Sequence, residues 1–265
     1  MYSINGIPLS NPSLGWEMLA PSVPLSSLQQ KMTRSEQSGR DGVTAAPSTR
    51  GPVSWKFTVR TPHANLSTLL GLFSEQTLIV REVTAPDRYA VGKLASSTVE
   101  QHFPRVDLYS HSFLVEIQEG CWRGDEVTTE LVPAAPAGAH LAVFPGLSAP
   151  VQDAVVRLKG PLQDPQVLDT SGAFVALAGT IPSGEYLRFE ASTGRAWLTP
   201  SDTWSGGDEV SGLIDFGGPR GVFEITPRYP TPADPTIREG RLTLAQASYN
   251  TGAGIQVRGK PAFLL

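Results

Sequence analysis

Residues 53 to 73 constrain the fold more than any other part of the chain. Val53, Trp55, Phe57 and Val59 alternate with Ser54, Lys56, Thr58 and Arg60, a period of two that gives a half-buried strand with one apolar and one polar face. Thr61 then stands at an N-cap position with Pro62 as the first helical residue, and Leu66, Leu69, Leu70 and Phe73 recur at the spacing of one helix face. Leu78-Ile79-Val80 returns at once to strand. The one evident helix is therefore embedded in β structure.

Composition extends that reading to the whole chain. Gly 26 and Pro 23 in 265 residues, with turn-type residues at short intervals, favour many short strands joined by tight loops. The expected class is mainly β with one short amphipathic helix, and the length suits two domains better than one. A formal net charge of -4 lacks the clustered Lys and Arg that phosphate contact requires, so nucleic acid is not an expected partner. Cys121 is the single cysteine and has no internal partner, which fits a reducing compartment, and it reads as a small apolar residue beside Trp122. No apolar run reaches the roughly 20 residues of a membrane-spanning helix, and the N-terminus lacks a basic region followed by an apolar one.

The first half opens with a strand and turn at Ile4-Asn5-Gly6-Ile7 and a second strand at Trp16-Glu17-Met18-Leu19. From 21 to 50 the chain is polar and without apolar periodicity, and it includes Ser38-Gly39-Arg40-Asp41-Gly42 before running through Arg50-Gly51-Pro52 into the alternating strand. This stretch reads as a long loop or arm ordered against a neighbour. Further strands are expected at 77–83, 89–99, 105–119 and 127–132, with Phe113, Val115 and Ile117 on one face and Val127, Thr129 and Leu131 on another. Prolines and small residues at 133–138 mark a linker, so the expected domains are 1–132 and 139–265. Beyond it, strands at 141–144, 154–158, 174–177, 186–191, 195–199, 222–226, 241–247 and 255–258 have the even spacing of a β-sandwich.

Chemistry-bearing motifs are sparse, and no catalytic, cofactor or metal site is expected. His63, His102, His111 and His140 show no pair at metal-ligand spacing. Asp202, Asp208 and Glu209 match no calcium loop and read as a solvated loop. Arg123-Gly124-Asp125 is an integrin-type tripeptide in a context of ordinary turn chemistry, and Asn65-Leu66-Ser67 reads as a helix segment. Nothing singles out two carboxylates at the separation a glycosidase needs. Tyr186, Trp197 and Trp204 offer flat rings with polar tips, suited to glycan contact, although rings in a sandwich more often belong to the core.

Taken in order, an N-terminal Ile-Asn-Gly strand, the loop Gly39-Arg40-Asp41-Gly42, an alternating strand, one amphipathic helix, a Pro-Ala linker and an all-β second half resemble the distal tail protein of long-tailed (siphovirus) bacteriophages. The resemblance implies an N-terminal domain that forms a hexameric ring and a C-terminal galectin-like β-sandwich outside it. It also implies a structural role without catalysis, an adaptor joining the tail tube to the tip. Expected partners are further copies of the chain, the tail tube protein, the tip hub, the tape measure protein and receptor-binding proteins. The expected location is the virion tail tip, with assembly in the host cytoplasm. The subunit interface is expected at Arg40, Arg50, Val53, Trp55, Phe57 and Val59, because a strand edge has backbone donors and acceptors to offer a neighbour, with Lys31 and Arg34 as further basic members of the arm. The alternative reading is a carbohydrate-binding module contacting host surface glycans through the sandwich.

Overall fold

A computed structural model describes residues 1–19, 30–31, 34–36, 43–45, 49–230 and 236–264, with backbone alone for 30–50. The chain is mainly β, and it divides into two compact units, Met1–Gly124 with Leu264–Leu265, and Asp125–Phe263.

The first unit is built on one antiparallel sheet whose neighbours run Ile7–Pro8, Tyr2–Ile4, Leu78–Glu82, Ala85–Phe103, Leu108–Ile117, Val53–Pro62 and Glu17–Met18. Asn5 at φ 49 and Gly6 at φ 83 form the two-residue turn of the opening hairpin, a conformation that Asn-Gly adopts with little strain. The alternation of residues 53–59 has its expected consequence. Val53, Trp55, Phe57 and Val59 are buried, and they face Ile117, Val115, Phe113 and His111 across the ladder.

The helix spans His63–Phe73, one residue later than expected. Thr61 and Pro62 keep pairing with Tyr109 and Leu108, so the strand runs through both and Pro62 becomes the N-cap. A residue before proline is pushed toward extended geometry, which leaves Thr61 buried in the strand with no capping bond. The helix covers the apolar face with Leu69, Leu72 and Phe73, while Leu66 and Leu70 stay half-buried at its rim.

The polar stretch expected to be a loop carries strand pairing instead. Gln30–Lys31 pairs with Thr49–Arg50, and Arg34–Glu36 pairs with Val43–Ala45, two antiparallel ladders one inside the other. Backbone pairing does not need apolar alternation, so the pattern gave no sign of it. Arg40 and the Ser38–Gly42 reading lie outside the described residues.

The second unit is a β-sandwich. One sheet runs Val127–Thr128, Gly254–Gly259, Val155–Lys159, Tyr186–Glu190, Arg195–Thr199 and Asp208–Glu209, and the other runs Ala139–Val143, Gly240–Ala245, Gln166–Asp169, Phe174–Leu177 and Ile214–Gly217. Val156, Leu158, Leu187, Phe189, Ile255 and Val257 from the first sheet and Leu141, Leu242, Leu244, Val167 and Val175 from the second are buried. Phe189 meets Phe216 of the second sheet at 5.3 Å between ring centroids. Gln166–Asp169 and Ile214–Gly217 were not foreseen. Conversely, 222–226 makes an isolated bridge from Ile225 to Val151 rather than a ladder, although Phe223 and Ile225 are fully buried.

The 133–138 segment is seated in this unit. Val132–Pro133 pairs with Ile255 and Gly254, and the Ala134 N–H donates to the Ala253 carbonyl at 2.9 Å. Val127 and Leu131 are exposed, so the face expected for residues 127–131 is not a core face.

Candidate functional site

Two open backbone edges distinguish the first unit. Ala85–Phe103 is paired on one side with Trp122–Gly124 at Arg88 and Tyr89 and then with Leu108–Ile117 from Gly92 to Phe103, but on the other side Leu78–Glu82 reaches no further than Gly92. Residues 93–103 therefore have one neighbour among the described residues, and 95–102 are exposed on both faces. Across the same three strands, Val53–Pro62 meets Glu17–Met18 only at Val59 and Arg60, with one more bond from the Leu19 N–H to the Thr58 carbonyl. Its 53–57 edge is open among the described residues.

Several outward side chains near these edges are polar and paired with one another, while Val99 is apolar and exposed. Lys56 bonds Glu100, Thr58 shares a 2.7 Å hydrogen bond with Ser112, and Arg60 pairs with Glu17 at 3.0 Å. Hydrogen bonds from Lys56 and Ser112 hold the Glu100 carboxyl below its usual range. Glu100 reaches Lys56 because it is the extra residue of a bulge between Val99 and Gln101, and a second bulge lies between Leu94 and Ser96. The side chains of Val53, Trp55, Phe57 and Val59 belong to the core, so this strand presents a neighbour with its backbone edge and its polar row.

The sandwich carries a second surface. Side chains paired in register share a face, and one row crosses five strands through Gln256, Arg157, Arg188, Trp197 and Glu209. Their strand neighbours Val156, Leu158, Leu187 and Phe189 fill the core, so this row lies on the outer face. Arg157 lies 4.3 Å from the Trp204 ring and 4.9 Å from Tyr186, and Arg188 lies 4.5 Å from Trp197. Tyr186 is buried beneath this layer, while Trp197 and Trp204 are half-buried. All three predicted rings thus sit on one outer face and not between the sheets. The arginines beside them were missed, and Val155-Val156-Arg157-Leu158-Lys159 was the available signal, an apolar strand with cations at alternate positions.

The remaining motifs take structural roles. Arg123 and Gly124 are buried, with Arg123 3.3 Å from Glu119. Asn65 donates to the Leu14 carbonyl at 2.8 Å. Cys121 is buried, its sulfur 4.0 Å from the Glu119 carboxylate. Asp202 pairs with Arg157 and Glu209 with Arg195, so these two acids answer different arginines, and Asp208 is exposed. His63 and His102 come together on either side of Tyr109, at 5.3 and 4.3 Å between centroids, and His140 bonds Thr243 at 3.0 Å. His111 is buried, with no hydrogen bond to either ring nitrogen, and burial pushes it below the usual histidine range. Among the described residues no group of three His, Cys, Asp or Glu is placed to hold a metal ion.

No family model and no curated protein matches the chain. Among solved structures it is similar to SPP1 Dit (gp 19.1), titled a paradigm of the hub adsorption apparatus in phages infecting Gram-positive bacteria, at 12% identity and a TM-score of 0.62, over 100% of both chains. Two structures of the phage P2 baseplate in its activated conformation, with Ca and with Sr, align at 12% identity with TM-scores of 0.39 and 0.40. The former covers 98% of this chain and 97% of that one, the latter 99% of each. These two alignments are too loose to carry an argument. The likeness to SPP1 Dit spans both units and agrees with the order of features in the sequence: the chain has the fold of SPP1 Dit.

Proposed function

We propose that the chain is a structural component of a phage tail tip, an oligomeric ring adaptor that joins the tail tube to the tip and its host-recognition apparatus. The observation that carries this reading is the pair of edges, 53–57 and 93–103, that are open among the described residues on opposite sides of one three-stranded segment. An unpaired edge is a hazard unless something covers it. Two different edges on opposite sides suit head-to-tail contact between copies, which closes into a ring when the rotation per subunit divides a full turn. The full-length fold likeness to SPP1 Dit supports the same reading. The first unit forms the hexameric ring, Arg40 and Arg50 contribute to the contact between subunits, and the galectin-like sandwich is a platform for tip proteins. Assembly takes place in the host cytoplasm, and the mature location is the virion tail.

Native mass spectrometry of the purified chain at micromolar concentration tests this. A hexamer, or stacked hexamers, is expected, and Val99→Lys on the open edge should shift the population toward monomer. A chain that is monomeric both in solution and in assembled tails overturns the ring. A Val99→Lys variant that assembles like the parent removes the 93–103 edge from the interface.

A further inference from the structure

The outer face of the sandwich holds cations that its own acids do not fully use. Arg157 is satisfied by Gln256 at 2.6 Å, Asp202 at 2.7 Å and the Thr203 carbonyl at 3.4 Å. Arg195 makes two 3.0 Å bonds to Glu209, and Arg258 pairs with Glu126 at 3.2 Å.

Arg188 differs. Its side chain is 7% exposed, its acid Glu190 stands 3.6 Å away, and its Nε has no hydrogen-bond partner. That separation is beyond a direct hydrogen bond, so a guanidinium with five donors is held in place with little to donate to. Lys159, opposite Tyr186 on the same face, has an aromatic ring for company, its Nζ 5.9 Å from the centroid.

The surroundings of Arg188 narrow the ligand. Its guanidinium is stacked on Trp197 and anchored in the middle of a sheet, so little ordering is required for it to receive a partner. Trp197 is half-buried, leaving part of the indole at the surface. A neutral sugar would leave the cation unanswered, and a small inorganic anion would leave the indole unused. A sugar ring carrying a carboxylate or phosphate uses both, because the indole accepts the apolar face of the ring and the guanidinium donates to the acid. A nucleic acid would need a longer run of cations than a chain of net charge -4 presents here.

We infer that the outer face centred on Arg188 and Trp197, with Lys159 beside them, binds an anionic polysaccharide. The acidic group meets the guanidinium, and the sugar ring lies against the indole. This goes beyond the ring-adaptor reading and does not depend on it.

Calorimetric titration of the full chain with polygalacturonate, with a glycerol-phosphate teichoic acid and with dextran tests the inference. Saturable binding to at least one of the two acidic polymers and none to dextran is expected, and the polymer that binds tells a carboxylate ligand from a phosphodiester. Arg188→Gln should weaken binding about tenfold or more, roughly the loss of one charge-assisted contact, and Trp197→Ala should weaken it by a similar factor through the lost ring contact. Lys159→Gln, a substitution at the half-buried edge of the face, should weaken it severalfold, and Lys93→Gln in the other unit should leave it unchanged. Absence of binding by the parent chain to either acidic polymer overturns the inference. So does binding that dextran matches, that survives both Arg188→Gln and Lys159→Gln, or that Lys93→Gln weakens equally.

Discussion

Phe73 and Phe113 lie face to face, their ring centroids 3.8 Å apart and their planes 6° from parallel. Through this contact the only α-helix among the described residues is fixed to the sheet, with Phe57, the cross-strand partner of Phe113, 6.4 Å from Phe73. Phe73→Ala should cost about 3–5 kcal/mol, the transfer free energy of a buried aromatic ring plus the cavity it leaves. Chemical denaturation with separate probes in the two units should show the first unit destabilised and the second unchanged.

His111 makes stability depend on pH. Its folded pKa lies below the ordinary value of 6.5 because burial disfavours the charged ring. The unfolded chain therefore takes up the proton first as pH falls, so the stabilising contribution is complete above 6.5 and declines below it until the pH drops under the depressed folded value. Denaturation midpoints measured from pH 8 to pH 5 should fall over the acidic part of that range. His111→Leu, which keeps an apolar partner for Phe113, should flatten the curve there.

Arg220 and Glu224 form a partly buried pair, with Glu224 also accepting from Gln152 at 3.1 Å. Removing one partner leaves the other charge unanswered in a site where the Glu224 side chain is 5% exposed. Either Arg220→Ala or Glu224→Ala should cost about 3–5 kcal/mol. The double variant Arg220→Met, Glu224→Leu should cost less than the sum of the two, as a double-mutant cycle by urea denaturation would read directly.

Asn5 does more than occupy a turn. Its side-chain oxygen accepts from the Ile79 N–H at 2.7 Å and its amide donates to Glu75 at 2.6 Å, which ties the hairpin to the strand after the helix. Asn5→Ala should cost about 1–2 kcal/mol in thermal unfolding, through a lost bond and a left-handed backbone that alanine resists. Gly6→Ala meets no atom within 4 Å, so its cost should be limited to backbone strain of about 1 kcal/mol.

What the sequence displayed depended on how far apart the interacting residues lie. Val53 to Val59 announced a strand and its buried face because alternation is local, and the helix after it was legible for the same reason. The arm at 30–50 was misread because its pairing is made by the backbone of polar residues. The cationic face was legible only in fragments. Tyr186 and Trp197 could be named, but the register that places Arg157 beside Arg188 and Gln256 joins strands far apart in the chain. No local pattern carries that information. The open edge at 93–103 was hidden for a related reason, since it exists where a neighbouring strand stops.

The two bulges at Ala95 and Glu100 give that edge an irregular profile. A flat, regular edge would accept almost any extended segment, including another copy in the wrong register, and would invite fibres. Extra residues interrupt the repeat and twist the strand, so only a partner shaped to the same irregularity can bond along its length. In the proposed ring such an edge works like a cut key, favouring a neighbour of matching profile over a chance one.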